Sequence, residues 1–180
     1  MKLPLLLLAL PLLLPAGAAA QTLRSDEHAF RVVRLVEGLD HPWSLAFLPD
    51  GRMLVTERPG RLRTIVDGKL ADKPIEGLPQ VEQYGQGGLH DVVPHPQFEK
   101  NQLLYLAYAA RGADGVGTEL ARGKLVDNRL EGVQVLFRQS PKGNAGQHFG
   151  GRIVFDRDGY VYLTLGDRGE RDRAQRPDDH

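Results

Sequence analysis

The chain has 180 residues, no cysteine, and 23 basic against 23 acidic side chains. The absence of cysteine excludes disulfide bonds, thiolate metal sites, iron–sulfur clusters and cysteine nucleophiles. No basic stripe with interleaved aromatic side chains occurs, which argues against nucleic acid as a partner. Glycine (21) and proline (12) are frequent, and this favours a fold with many turns over one with long helices.

Residues 1–20 have the pattern of a secretory signal peptide. A positively charged start precedes the short apolar run 3–14, and residues 18–20 are small alanines suited to cleavage before Gln21. The run is short and interrupted by proline, so it makes a poor membrane span, although an uncleaved anchor is the alternative. We therefore expect a periplasmic or secreted protein with no membrane span after cleavage, in which residues 21–180 form the folded part.

The mature part of the sequence indicates one short strand after another. Asp50-Gly51 and Pro59-Gly60 are strong turn signals between apolar or alternating segments. No good amphipathic helix is apparent, so an all-β fold is predicted rather than a parallel α/β sheet. The clearest predicted strands are residues 30–35, 43–48, 53–57 and 61–66.

The strand–turn–strand pattern recurs along the chain. Residues 45–56 and 153–164 both contain an apolar strand, an Asp-Gly turn and a second apolar strand, 108 residues apart. A weaker copy lies halfway, over residues 91–108. This spacing fits the size of a four-stranded blade of a β-propeller, although unrelated hairpins can share such a turn. The sequence thus predicts an all-β propeller with about three blades in this chain, and, since propellers have about four to eight blades, a truncated one.

Three glycine-rich segments carry the candidate functional residues. Gln86, in the first, offers both hydrogen-bond donors and acceptors beside glycines that allow close approach of a flat ligand. His148, in the second, is a candidate general base because imidazole titrates near neutrality. A connecting loop and a structural histidine are the alternatives at these two positions. The segments are residues 83–91, 144–152 and 165–170.

Hairpin geometry connects His148 with the third segment. The strand that follows His148 and the strand that precedes Asp167 are joined at Asp158-Gly159, so their free ends should meet at one rim of the blade. A carboxylate beside an imidazole orients the ring and stabilises its charged form. The sequence therefore predicts His148 and Asp167 as a catalytic pair.

The remaining polar residues receive a structural interpretation. His41, His90 and His95 lie beside proline or in turns, and Trp43 is expected in the core. Residues 170–173 are expected to form a solvated loop, in which Asp172 could reach a polyol. No spacing of His, Asp or Glu predicts a metal site.

Five motifs occur in order along the mature chain, and together they are specific although each is short. They are GLDHPWSLAFLPDG from Gly38, LVTERPGRL from Leu54, QGGLHD from Gln86, HFGGRI from His148 and GDRG from Gly166. With these motifs, nearly all of the mature chain resembles the soluble aldose sugar dehydrogenases that depend on pyrroloquinoline quinone (PQQ), the glucose/sorbosone dehydrogenase family.

The resemblance implies a six-bladed propeller that holds PQQ in its central channel with calcium at the cofactor. His148 matches the base that takes the proton of the sugar's anomeric hydroxyl while hydride passes to the quinone and a lactone forms. Asp167 matches the carboxylate that assists it, Gln86 a glutamine near quinone and sugar, and Asp172 a sugar-contact position. The basic residues that hold the cofactor and the calcium ligands are expected beyond His180, so the isolated chain is not expected to be fully competent. An external electron acceptor is implied.

Two other classes of function remain open at this point. One is a calcium-dependent propeller lactonase, which needs carboxylate and asparagine ligands around a metal. The other is a propeller that serves as a binding module without catalysis.

Overall fold

The computed structural model describes residues 22–176 and 178, so the predicted signal peptide lies outside the described residues and stays a prediction. The chain divides into one unit up to Leu35 and another from Val36 onward. In the first, β1 (Thr22–Arg24) pairs antiparallel with β2 (Ala29–Arg31). The strand predicted over residues 30–35 is shorter than expected, since β2 ends at Arg31, which pairs with Thr22.

The second unit begins with a four-stranded antiparallel sheet. Its strands follow the chain order, β3 (Pro42–Phe47), β4 (Met53–Glu57), β5 (Arg61–Val66) and β6 (Lys69–Leu70). The turn between β3 and β4 is closed by Asp50, whose carboxylate accepts a hydrogen bond from the backbone N–H of Arg52 at 3.0 Å. The predicted bounds of β4 and β5 are confirmed, since turn residues fix both ends of each strand.

A second four-stranded antiparallel sheet follows. It contains β7 (Leu89–Pro94), β8 (Leu103–Gly112), β9 (Gly115–Val126) and β10 (Arg129–Arg138), again in chain order across the sheet. The longer turn predicted between the first two strands is the single helical turn α1 (Phe98–Asn101), which buries Phe98. The long strands β9 and β10 had no counterpart among the sequence predictions.

The last part is a hairpin of β11 (Gly150–Phe155) and β12 (Val161–Leu165), followed by a short 3-10 helix (Arg171–Gln175). The solvated loop predicted over residues 170–173 is wrong in one respect. Arg173 is buried and donates a hydrogen bond to the backbone carbonyl of Pro141 at 2.9 Å, which anchors the helical turn.

The three sheets stack as successive blades. Strand β7 packs against both β3 and β11, so the first strands of the three sequence repeats are neighbours in space. One apolar core, which includes Leu54, Leu62 and Leu106, joins the first two sheets. A second core joins the second sheet to the hairpin. The predictions of an all-β fold and of a strand–turn–strand repeat are confirmed, with two four-stranded blades and the β11–β12 hairpin in the described part of the second unit.

Asp91 ties the three innermost strands together. It is buried in β7, and its carboxylate accepts hydrogen bonds from the Ser44 hydroxyl on β3 at 2.5 Å and from the Ile153 N–H on β11 at 2.9 Å. Arg152 adds a charged contact at 3.2 Å and lies over the ring of Trp43, which is half-buried rather than fully in the core as predicted. These contacts fix the start of β11, immediately after His148.

Within residues 22–176 and at 178, no helix is long and apolar enough to cross a membrane.

Candidate active site

The β11–β12 hairpin brings His148 and Asp167 together at one rim. Gly150 pairs with Leu165 at the open end of the hairpin, and the two side chains extend from just beyond this pair. His148 Nδ1 lies 2.7 Å from Asp167 Oδ1, a hydrogen-bond distance. The imidazole is 52% exposed and the carboxylate 20% exposed. The predicted meeting of these residues is therefore observed, and their catalytic role stays a prediction.

The surroundings of Asp167 keep its carboxylate ionised. The backbone N–H of Gly169 donates a hydrogen bond to Oδ1 at 2.8 Å, and this bond together with that from His148 lowers the carboxyl pKa below its usual value. An ionised acceptor holds the proton of a neutral imidazole on Nδ1. The other nitrogen of His148, Nε2, is thereby left with a lone pair that can accept a proton.

The backbone around His148 is tightly constrained. His148 has φ of 56°, in the left-handed region that few residues other than glycine adopt. Its carbonyl approaches Gly166 so closely that a Cβ at that position would collide with the carbonyl oxygen. The motif that begins at Gly166 thus has a physical reason for its glycine: only this residue lets the end of β12 pass the backbone of His148.

Gln86 joins the pair from another blade. Its side-chain Oε1 accepts a hydrogen bond from the backbone N–H of His148 at 3.0 Å, and the backbone N–H of Gln86 donates to the Gly146 carbonyl at 2.8 Å. The side chain remains exposed. The structure therefore places Gln86, His148 and Asp167 in one contiguous polar group, although 62 residues separate the first two in sequence.

Two side chains that sequence reasoning missed support the Gln86 segment. Arg58, after β4, donates a hydrogen bond to the Gly85 carbonyl at 2.5 Å, and the Tyr84 hydroxyl donates to the Asn144 carbonyl at 2.7 Å. Both bonds link segments distant in sequence. Arg58 lies within the motif that starts at Leu54, and that motif is the sequence feature that could have identified it as a residue near the site.

Asp172 lies apart from this group. It is exposed in the 3-10 helix after β12, and its backbone carbonyl accepts a hydrogen bond from Arg176 at 3.3 Å. Across the described part of the chain, no hydrogen bond or ion pair joins its carboxylate to Gln86, His148 or Asp167. A role in sugar contact stays a prediction for this residue.

The described residues contain no group of three or more His, Cys, Asp or Glu side chains that could hold a metal ion.

His90 differs from the sequence interpretation in its location. It lies within β7 rather than in a turn, and its side chain is 1% exposed. Burial lowers the pKa of its imidazole to about 4, so the ring is neutral at physiological pH. The sequence did not indicate that His90 is buried, because histidine is usually only partly buried in folded proteins.

Stacked antiparallel blades with a histidine–carboxylate pair at one rim define a β-propeller with a built polar site. The model of the family "Glucose / Sorbosone dehydrogenase" matches residues 39–180, and the chain belongs to that family. This finding confirms the resemblance seen in the motifs.

Known relatives agree in sequence and in fold. The chain is 42% identical over 167 residues to the aldose sugar dehydrogenase YliI of Escherichia coli, a match that covers 91% of this chain and 45% of that protein. The apo-form crystal structure of the soluble aldose sugar dehydrogenase from Escherichia coli superposes with a TM-score of 0.73 at 46% identity, over 76% of this chain and 41% of that one.

A third comparison involves a cofactor complex. The PQQ-bound form of the aldose sugar dehydrogenase from Streptomyces coelicolor superposes with a TM-score of 0.69 at 26% identity, over 89% of this chain and 46% of that one. The chain thus spans about half the length of the relatives it matches. The propeller architecture is shared throughout that half.

Proposed function

We propose that this chain carries the proton-accepting side of a quinoprotein that oxidises the anomeric carbon of aldose sugars to lactones. The observation that carries the proposal is the exposed imidazole of His148, held at 2.7 Å from an ionised Asp167 and joined through its backbone to Gln86. The family membership supports an oxidoreductase of the sugar dehydrogenase type. The PQQ in one structural relative supports the choice of cofactor.

The residues at the rim fit PQQ in part. A quinone that accepts hydride from a sugar alcohol needs a base beside the alcohol and a polar contact beside the ring, and His148 and Gln86 offer exposed groups of these two kinds. Glycines 85, 87 and 88 flank Gln86, and each packs so closely against a neighbouring segment that a Cβ would collide there, so they fix the loop that presents the Gln86 side chain. A PQQ bound here would be held on one side by Gln86.

Oxidation of the sugar removes a proton from the anomeric hydroxyl and a hydride from the anomeric carbon. Nε2 of His148 takes the proton of the anomeric hydroxyl as the carbonyl of the lactone forms. Asp167 stabilises the resulting imidazolium through Nδ1 and prevents the ring from turning away. PQQ, when bound, supplies the acceptor for the hydride.

Gln86 is assigned to orientation in this scheme. Its Oε1 is already used by the backbone of His148, so its side-chain N–H group is the part available to a quinone or sugar oxygen. Asp172 is assigned to a peripheral sugar contact, since it is exposed and lies on the segment that follows Asp167. We propose calcium as the partner ion of the cofactor, with ligands outside this chain.

The compartment and partners are part of the proposal. The leader pattern of residues 1–20 supports export, which fits a small sugar as substrate and an external acceptor that reoxidises the cofactor.

The test is dye-coupled oxidation of a panel of aldoses by the full-length protein reconstituted with PQQ and calcium, with the lactone identified among the products. We expect sugar-dependent dye reduction that requires PQQ. Calcium-dependent hydrolysis of added lactones without PQQ would replace this proposal by the lactonase. Absence of both activities, with partner binding unaffected by His148→Ala, would replace it by the binding module.

A further inference from the structure

A buried hydroxyl lies behind the segment that carries His148. Thr118, on β9, is fully buried, and its hydroxyl donates a hydrogen bond to the backbone carbonyl of Phe149 at 2.7 Å. Phe149 directly follows His148 in the sequence. The bond therefore joins the second blade to the residue next to the proposed base.

The backbone of Thr118 is itself held by Gln139. The Thr118 N–H donates to the side-chain oxygen Oε1 of Gln139 at 3.0 Å, and the Gln139 N–H donates to the Thr118 carbonyl at 3.0 Å. Two further backbone hydrogen bonds, at 2.8 and 3.2 Å, join Val116 to Gly143. The start of β9 is thus a fixed support for the segment that leads from Gln139 to Phe149.

The side chain of Phe149 is also fixed in place. Its ring is 3% exposed and packs in a small apolar core that includes Ala109. A Cβ at Gly87, the residue after Gln86, would lie 2.8 Å from this ring. With the ring held in this way, the hydroxyl of Thr118 sets the orientation of the peptide carbonyl that follows it.

His148 lies between two hydrogen-bonded points. Its own N–H donates to Oε1 of Gln86 at 3.0 Å. On the other side, the carbonyl of Phe149 is held by Thr118. His148 has φ of 56°, a conformation that a residue other than glycine keeps only when its surroundings hold it. Loss of the hydroxyl should therefore let this backbone relax and move the imidazole away from Asp167.

We propose that Thr118 is a positioning residue for the site: its buried hydroxyl holds the backbone after His148 and so keeps the imidazole at Asp167, without touching substrate or cofactor. Its effect on sugar oxidation rests on the function proposed above. The alternative is that Thr118 only stabilises the packing of the second blade, in which case loss of the hydroxyl would lower stability and leave the site unchanged.

Three variants of the full-length protein separate these roles. Thr118→Val keeps the shape of the side chain and removes the donor, whereas Thr118→Ser keeps the hydroxyl. Thr56→Val is the matched control. Thr56 is fully buried on β4, and its hydroxyl donates to the backbone carbonyl of His90 at 2.6 Å, a bond of the same kind that joins β4 to β7.

The first readout is the position of the proton on the neutral His148 ring, and it needs no cofactor. The carboxylate of Asp167 favours the tautomer protonated on Nδ1, which the ring nitrogen resonances distinguish from the other tautomer. We expect a smaller fraction of this tautomer in Thr118→Val, and the wild-type fraction in Thr118→Ser and Thr56→Val. A wild-type fraction in folded Thr118→Val, or an equal loss in Thr56→Val, overturns the proposal.

The second readout is turnover. Loss of one hydrogen bond should lower kcat for aldose oxidation by about three- to tenfold in Thr118→Val, with little change in the KM for sugar, because the base is displaced rather than the binding contacts. Thr118→Ser should restore kcat. In a His148→Ala background Thr118→Val should change nothing, because its target is gone. Equal effects in both backgrounds would show that the hydroxyl acts on the fold alone, which contradicts the proposal.

The two proposals fail separately. If the wild-type protein neither binds PQQ nor oxidises aldoses, the proposed function is wrong, and the tautomer of His148 still decides the role of Thr118. If Thr118→Val does not fold, the comparison of Thr118→Ser with Thr118→Cys decides it, since a thiol is a weaker donor than a hydroxyl. A smaller fraction protonated on Nδ1 in Thr118→Cys than in Thr118→Ser supports the proposal, and equal fractions overturn it.

Discussion

His148 at the rim and the buried His90 show how the environment gives the same type of side chain different properties. His148 is exposed, and its Nδ1 lies 2.7 Å from the ionised carboxylate of Asp167, which leaves Nε2 as the nitrogen that can meet a substrate. His90 is buried between aromatic rings, where the cost of a buried charge keeps it neutral. The first arrangement suits a group that must gain and lose a proton, and the second suits a ring that stays neutral in the core.

The contrast is created by the propeller framework. His148 lies at the open end of a hairpin, where side chains extend into solvent. His90 lies in β7, the strand enclosed by β3 on one side and β11 on the other. Asp91, the next residue, ties these strands together through hydrogen bonds from Ser44 and Ile153.

The largest effect is expected at the rim. His148→Ala removes the proposed base and should lower kcat for aldose oxidation on the order of 1,000-fold, since general bases contribute about 10²–10⁴. The midpoint of thermal unfolding should change little, because the side chain is half exposed. Steady-state dye-coupled kinetics together with calorimetry check both halves of this prediction. A large loss of stability with near-normal kcat would reverse the roles assigned to the two histidines.

The effect of the buried His90 should be seen instead in how the free energy of unfolding depends on pH. Its pKa is about 4 in the folded state against 6.5 as the ordinary value, so below pH 6.5 the unfolded chain binds the proton first. The free energy of unfolding should therefore decline as pH falls from about 6.5 to about 4, by about 3 kcal/mol for this group, and level off below.

Denaturant titrations of the wild type and His90→Leu across this range test that prediction. The variant should lack this part of the pH dependence, while the remaining groups contribute similarly to both proteins. The carboxylate of Asp91 opposes the shift and is present in both. Parallel pH profiles would contradict the assignment of His90 as a buried neutral ring.

Asp167→Asn should weaken the rim pair without removing the base. The amide has nearly the size of the carboxylate but no charge to stabilise the imidazolium, so we expect kcat to fall by roughly 10- to 100-fold. Asp158→Asn, an exposed change in the turn at the other end of the same hairpin, is the control and should retain activity. If both variants behave alike in kinetic assays, the carboxylate has no special role beside His148.

The smallest effect is expected at Asp172. Its carboxylate is exposed and outside the contiguous polar group, so Asp172→Ala should raise the KM for sugar by about threefold and leave kcat unchanged, the size of one solvent-exposed hydrogen bond. Initial rates over a range of sugar concentrations measure this. A large fall in kcat would show that Asp172 acts in catalysis, which would contradict its assignment as a peripheral sugar contact.

Local chemistry made much of the fold predictable. Turn dipeptides bracket β4 and β5, so their bounds follow from the sequence. The meeting of His148 with Asp167 followed from the register of one hairpin, which depends only on the position of its turn. The repeat spacing likewise reported which strands begin each blade.

Contacts between blades were not predictable in the same way. The Gln86–His148 hydrogen bond spans 62 residues and depends on how two sheets stack, which no local pattern specifies. The burial of His90 depends on rings contributed by β3 and by the segment before β11. The long strands β9 and β10 also escaped prediction, because glycines and charged residues interrupt their apolar pattern.

The most direct test of the central claim is a titration of PQQ with calcium into the full-length protein, followed by visible absorbance, with aldose added afterwards in the absence of other acceptors. We predict that sugar bleaches the oxidised quinone in the wild type, and that His148→Ala binds PQQ with similar affinity but is not bleached. Bleaching of the variant at the wild-type rate would contradict the assignment of His148 as the base.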